Sequence, residues 1–340
     1  MWNREYGMKK ESLMNKVMYT VDEVQAKLNR GEKLILAASE DVLMRLPKGE
    51  WIAGSIPYFM SENGGEFNTE KIFVTEVPEE IIAVEIKKYD VQSISQVYHD
   101  APKNGLSIII TNSGSKTHLE FALNAPDYKD FAMKPMIGWI SGIALQDLGK
   151  ETPKVFNGQT GENISDGAVV MHLTLSEGNY AEIKIINIFK QGNGDSIKFL
   201  EDGFETEEVL INGERKNLAE YLMEKNVDTR LPLVADYFGA MVNISFQKVD
   251  QEKKKVHFYA PVFREMEYKL AAPVGDYVTS FNEQMPHNEA EKIFFSCNCI
   301  LNYLYSELEG KQTGGVVGPI TFGEIAYQLL NQTLVYTIIS

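Results

Sequence analysis

The 340-residue sequence predicts a mixed α/β (α+β) protein: two domains, each with mixed β-sheets flanked by helices, built from repeated strand–helix–strand–strand units. Three observations predict it. One pattern occurs three times: an apolar strand, a helical stretch, a second strand running into Gly and Ile, an irregular segment, and a third strand. The copies read LILAAS–WIAGSI–IFVTEV (residues 34–77), SIIITNS–MIGWIS–AVVMHLTL (107–175) and IFFSCNC–VVGPIT–TLVYTIIS (293–340). Repeats of this kind suggest stacked α/β units sharing sheets. Second, the length favours two domains over one and suffices for a large core. Third, strands with variable connections and no G-x-G-x-x-G argue for mixed sheets rather than a dinucleotide-binding fold.

The elements follow in chain order. Residues 1–19 read as a polar N-terminal arm. Thr20 with Glu23 makes a capping box, Val21, Val24 and Leu28 give one apolar face, and Gly31 sits where a helix C′ residue belongs. Residues 20–200 form the expected first domain and 201–340 the second, divided after the Gly-rich QGNGD of 191–195. Residues 81–87 alternate as a further strand, and 90–100 read as a short polar helix or loop. Residues 180–189 alternate as a strand that Glu177–Gly178–Asn179 would join to the preceding one as a hairpin. Beyond the boundary, 209–211 with Asn212–Gly213 predict a strand and turn, and 217–226 an amphipathic helix. Strands are expected over 242–246 and 256–259, and 283–290 lead into the third copy. Its helix is marked by Leu301, Leu304, Tyr305 and Leu308 and ended by Gly310.

The net charge of −15 repels nucleic acid and anionic membrane surfaces. No apolar run is long enough to span a bilayer. The only two cysteines, Cys297 and Cys299, share one strand at a spacing that strains a disulfide, which points to a reduced, cytoplasmic protein.

The middle strands carry Gly54, Gly138 and Gly318, and such Gly-bearing strand ends predict a cleft for a small ligand. The candidate ligand-binding residues are Ser55, Tyr58, Asn112, Ser113, Trp139, Ser141, Asn298, Thr321 and Glu324. Hydroxyls and amides would hold a carboxylate, and Glu324 would pair with an amine or, as the plainer reading, answer a helix dipole. The histidines at 99, 118, 172, 257 and 287 lack metal-ligand spacing, so neither a metal nor a cofactor is expected. Cys297 would serve as a nucleophile only with a lowered pKa and a nearby base.

The stretch GPITFGEIA (318–326), followed by Asn331 and Thr333, resembles the C-terminal part of FIST proteins, bacterial intracellular sensory domains. EVLINGERKNLAEYL (208–222) is similar to the opening of that family's C-terminal domain, and 134–173 resemble its N-terminal domain, with Trp139 where two small residues are common. The resemblance implies a non-enzymatic module for signal transduction that binds a small molecule, such as an amino acid, in an inter-domain cleft. With no length left for an output domain, it would signal through a separate protein or by forming a homo-oligomer. The alternative is a hydrolase or transferase using Cys297 or a cleft hydroxyl.

Overall fold

The computed structural model describes residues 16–237, 240–285 and 290–340. Residues 1–15 of the expected arm, and 286–289 of the segment before the third copy with His287 among them, lie outside the described residues.

The triplication is a structural one. In every copy the first strand is the middle one. Leu34–Ala38 runs parallel to Trp51–Ser55 and antiparallel to Ile72–Glu76. Gly105–Asn112 runs parallel to Met136–Ser141 and antiparallel to Ala168–Leu175. Ile293–Cys299 runs parallel to Gly318–Thr321 and antiparallel to Leu334–Ile339. A parallel pair needs a crossover, and each copy supplies one containing a helix: Glu40–Leu43, Lys116–Asn124 or Ile300–Tyr305. The middle strands Leu34–Ala38 and Gly105–Asn112 are buried at every residue, in keeping with the apolar runs of residues 34–38 and 108–110.

Local signals in the sequence are obeyed. Helix Val21–Asn29 starts on the Thr20–Glu23 capping box and ends before Gly31, whose φ is +81°. Asn212 and Gly213, at φ +50° and +87°, make the turn between Glu208–Ile211 and Glu214–Asn217.

The described strands form five sheets, parallel and antiparallel pairs mixed. Three of the sheets recruit strands from both sides of residue 200, one of them only through Ile197–Phe199 at the boundary itself. The second copy's sheet is extended by Glu324–Ala326 and Gln328–Leu330. The third copy's sheet takes Ala181–Ile186 at one edge and the hairpin Tyr58–Ser61/Gly64–Phe67 at the other. The expected division is thus bridged by hydrogen-bonded strands in both directions.

One expected hairpin is absent. Ala181–Ile186 pairs with Leu334–Ile339 in the third copy's sheet rather than with Ala168–Leu175, both of whose edges are taken by Gly105–Asn112 and Ile81–Tyr89. The strand expected over 242–246 also divides. Ala240–Ile244 joins one inserted sheet and Phe246–Asp250 another, with buried Ser245 between them.

The three copies pack face to face around one core that includes Ile52, Phe59, Ile110, Trp139, Met171, Phe295 and Val335. Burying each such side chain contributes about 1.5–3 kcal/mol. Among the described residues, no helix is long and apolar enough to cross a membrane.

Candidate functional site

The chain crosses between two sheets at one point. Gly318–Thr321 belongs to the third copy's sheet, and Glu324–Ala326 to the second's. Phe322 and Gly323 carry it across, tied to the destination by Phe322 N–H to Ile140 O at 3.1 Å and Ile140 N–H to Gly323 O at 2.9 Å. Gly323 has φ +154°, and a Cβ there would stand 3.1 Å from Ile140 Cγ1. Glu324 then falls opposite Trp139, with Ile325 opposite Gly138.

This geometry sets the Glu324 carboxyl in the seam between the sheets, fully buried. Its Oε2 accepts from Thr333 Oγ1 at 2.8 Å and from Thr333 N–H at 3.3 Å. Its Oε1 has no hydrogen-bond partner. Burial pushes its pKa up to about 8, against the opposing pull of Thr333, Cys299 and Thr321. The group is therefore mostly protonated at neutral pH, with a proton to give and an oxygen to offer.

A polar chain continues from it. Thr333 O accepts from Asn302 Nδ2 at 3.2 Å, and the same amide nitrogen donates to Asn298 Oδ1 at 2.8 Å. Asn302 Oδ1 accepts from the Tyr277 hydroxyl. Asn298 Nδ2 has no partner. Thr321 Oγ1 lies 3.3 Å from Asn298 O and 3.1 Å from Gly323 O, bracing the crossing.

Along the strand Met136–Ser141, the Trp139 indole stacks on Phe295 with centroids 5.6 Å apart. Trp139 Nε1 and Ser141 Oγ are buried without partners. Both lie against Gly54, where a Cβ would come within 2.9 Å of Nε1 and 3.3 Å of Ser141 Cβ.

The three glycines do not open a cleft there. A Cβ at Gly54, Gly138 or Gly318 would lie 2.7 Å from Ile110 Cγ2, 1.8 Å from Ile109 O or 2.4 Å from Ser296 O. They are glycines because backbone and side chains press onto them, so the expectation of facing strand ends around an open hollow is corrected to a closed seam.

The nine expected residues divide accordingly. Trp139, Ser141, Asn298, Thr321 and Glu324 lie in or beside the seam. The other four tie strand ends. Ser55 Oγ donates to Gly142 O and accepts from Lys154 N–H, both at 2.8 Å. Asn112 donates to Pro153 O and Ile164 O and accepts from Gly167 N–H. Tyr58 OH accepts from Leu145 N–H at 3.0 Å. Ser113, only partly buried, donates its N–H to Ser141 O. Glu324 heads a strand, so the helix-dipole explanation does not apply to it.

Cys297 and Cys299 are free and buried beside Glu324. Burial pushes both thiols well up, and the neighbouring Glu324 adds to it. Cys297 Sγ donates to Gly138 O at 3.3 Å. An activated nucleophile needs the reverse, a stabilised thiolate.

Sequence reasoning passed over Asn302, Tyr277 and Cys299 as parts of this network, and used Asn331 and Thr333 only for the family resemblance. The available signal was Asn331–Gln332–Thr333, three polar residues together between apolar stretches. All three are buried, and Asn331 and Gln332 hold Ser245 Oγ at 2.6 and 2.5 Å.

A second buried polar chain lies in the second copy. Ser107 Oγ meets His172 Nδ1 at 2.7 Å, His172 Nε2 meets Tyr89 OH at 2.9 Å, and Tyr89 OH donates to Asp100 Oδ2 at 2.9 Å. Burial pushes His172 down to about 4, so it is neutral. Among the described residues, no three His, Cys, Asp or Glu side chains are grouped to hold a metal ion.

The model of a family of unknown function, DUF6976, matches residues 19–340. The chain belongs to this family. The DUF6976 match spans all three copies and includes the crossing at Phe322–Gly323 and the Glu324 seam. No curated protein matches the sequence.

Proposed function

We propose that this DUF6976 chain is a non-enzymatic, small-molecule-binding sensory module acting in intracellular bacterial signal transduction, the role its resemblance to FIST proteins implies. The observation that carries the reading is Glu324: a fully buried carboxyl with one oxygen unpartnered, held where one chain segment passes between two sheets. Strongly perturbed buried carboxyls concentrate at functional sites.

The ligand suited to this seam is small and polar. An amine or other donor would satisfy Glu324 Oε1, and a carboxylate would satisfy Trp139 Nε1 and the Ser141 hydroxyl, two of the buried donors left without acceptors. An amino acid or a similar metabolite carries both. Because the seam is closed, a ligand reaches it only as the sheets part. Binding would therefore shift the balance between closed and parted forms, which is how occupancy becomes a signal to a separate protein. The buried, protonated state of the Cys297 thiol speaks against the hydrolase or transferase alternative.

The test is a thermal-shift screen of amino acids and small metabolites. A ligand at about 100 times its Kd stabilises a protein by about 2.7 kcal/mol. A hit should raise the midpoint of the wild type and leave Glu324→Gln unmoved. If no compound shifts the wild type, or if hits act equally on the variant, the reading fails.

A further inference from the structure

Ala181–Ile186 is the outermost strand of the third copy's sheet. Just before it, Tyr180 and Ser340 exchange hydrogen bonds, N–H to O in both directions, at 2.8 and 3.0 Å. With the register Ala181↔Ile339 to Ile186↔Leu334, that pair fixes which residues bond inward. Antiparallel ladders alternate, so Glu182, Lys184 and Ile186 spend their backbone groups on the Leu334–Ile339 strand. Ala181, Ile183 and Ile185 point theirs outward, where the sheet has no further strand among the described residues. The edge is also apolar for an exposed one: Tyr180 is 60% and Ile185 46% exposed.

We infer that this edge pairs with the same edge of a second copy, around a twofold axis through Ile183, joining two six-stranded sheets into one. The charges select that register. The outward-bonding residues must meet each other, which leaves three central alignments. Centring on Glu182 sets Glu182 against Glu182, and centring on Lys184 sets Lys184 against Lys184. Centring on Ile183 sets Glu182 of each copy opposite Lys184 of the other, and Ala181 opposite Ile185. Opposite charges directly across an antiparallel pair stabilise it, and like charges destabilise it. Within one chain Glu182 and Lys184 already form an ion pair, and each would add a partner across the axis.

The same tripeptide occurs on another edge, Ile81–Tyr89, as Glu85–Ile86–Lys87. There Lys87 also reaches Asp100 at 3.5 Å, and neighbouring Lys88 is paired with Glu162. That edge's charges are tied to Asp100 and Glu162 on other segments, whereas Glu182 pairs with Lys184 on its own strand. A six-residue ribbon is a small interface, below the roughly 1,200 Å² of standard complexes, so the dimer dissociates on dilution.

Sedimentation velocity from about 1 to 200 µM is the test, a range suited to a weak interface. The wild type should move from monomer to dimer mass across the series. Glu182→Lys places lysine opposite lysine at both ends of the pairing and should raise the dissociation constant at least about tenfold, which is about 1.4 kcal/mol. The double variant Glu182→Lys/Lys184→Glu reverses both charges, keeps the register self-complementary, and should restore the dimer. Hydrogen exchange on the wild type gives a variant-free check: the amides of Ala181, Ile183 and Ile185 should slow as concentration rises. A wild type that stays monomeric at the top concentration overturns the inference. So does a Glu182→Lys protein that dimerises like wild type, or a folded double variant that stays monomeric.

Discussion

The two buried polar chains make opposite use of similar materials. In the chain Ser107–His172–Tyr89–Asp100 every link is made, and it ends on a carboxylate near the surface. In the chain Tyr277–Asn302–Thr333–Glu324 the last oxygen faces the interior with no partner. Leaving a buried polar group unmet costs about 1–3 kcal/mol. The fold completes one network and leaves the other open, and that contrast is what supports the binding proposal for the second.

The largest expected effect breaks the Glu324 side of this comparison. Its folded pKa lies near 8 against an ordinary value of 4.5. Below pH 4.5 both folded and unfolded forms are neutral and nothing is lost. As pH rises from there to 8, the unfolded state ionises while the folded state cannot, so stability falls. At about 1.36 kcal/mol per unit, the loss is on the order of 4 kcal/mol. Glu324→Gln cannot ionise. Urea unfolding should show its advantage over wild type growing from pH 5 to 8.5 by several kcal/mol, and a constant difference would refute the assignment.

His172 should show the opposite limb. Its folded pKa lies near 4, below the ordinary value of 6.5, so its contribution is complete above pH 6.5 and is lost as pH falls towards 4. Burial is the largest cause; of the groups around it, Lys87 and Lys134 push the same way and Glu85 and Asp100 oppose. His172→Ala orphans the Ser107 hydroxyl, takes one of two partners from Tyr89 and opens a cavity. We expect about 2–4 kcal/mol of destabilisation at pH 7, read from the urea midpoint.

Smaller effects sharpen the contrast. Tyr89→Phe removes the link to Asp100 and leaves His172 Nε2 unmet, for about 1–2 kcal/mol. Thr333→Val removes the hydroxyl that donates to Glu324 Oε2. It should cost about 1 kcal/mol and push the Glu324 titration further up. Alkylation of Cys297 and Cys299 at neutral pH should occur only as fast as the protein opens, and should quicken with added denaturant.

The repeated unit was legible because each first strand is rich in apolar residues, as middle strands buried on both faces require. The capping box at Thr20 and the Asn212–Gly213 turn were legible because they are local. What escaped was which sheet a strand joins. Residues 180–189 alternate correctly for a strand, but alternation names no partner, and the true one lies about 150 residues later at Leu334–Ile339. The candidate site was half visible for the same reason. Trp139, Ser141, Asn298, Thr321 and Glu324 stood out as polar or aromatic residues on Gly-bearing units. Tyr277 and Asn302 join them only through the tertiary fold. The glycines misled because close packing and an open cleft both require a missing Cβ, and one sequence does not separate the two.

The exchange of strands also has a consequence for biosynthesis. Glu324–Ala326 completes the sheet begun at Gly105, and Gly318–Thr321 bonds the hairpin that begins at Tyr58. While those late residues are still inside the ribosome, the earlier copies stand with open edges. The nascent chain must hold unfinished sheets apart until residues 318–326 have emerged, so its exposure to aggregation lasts until then.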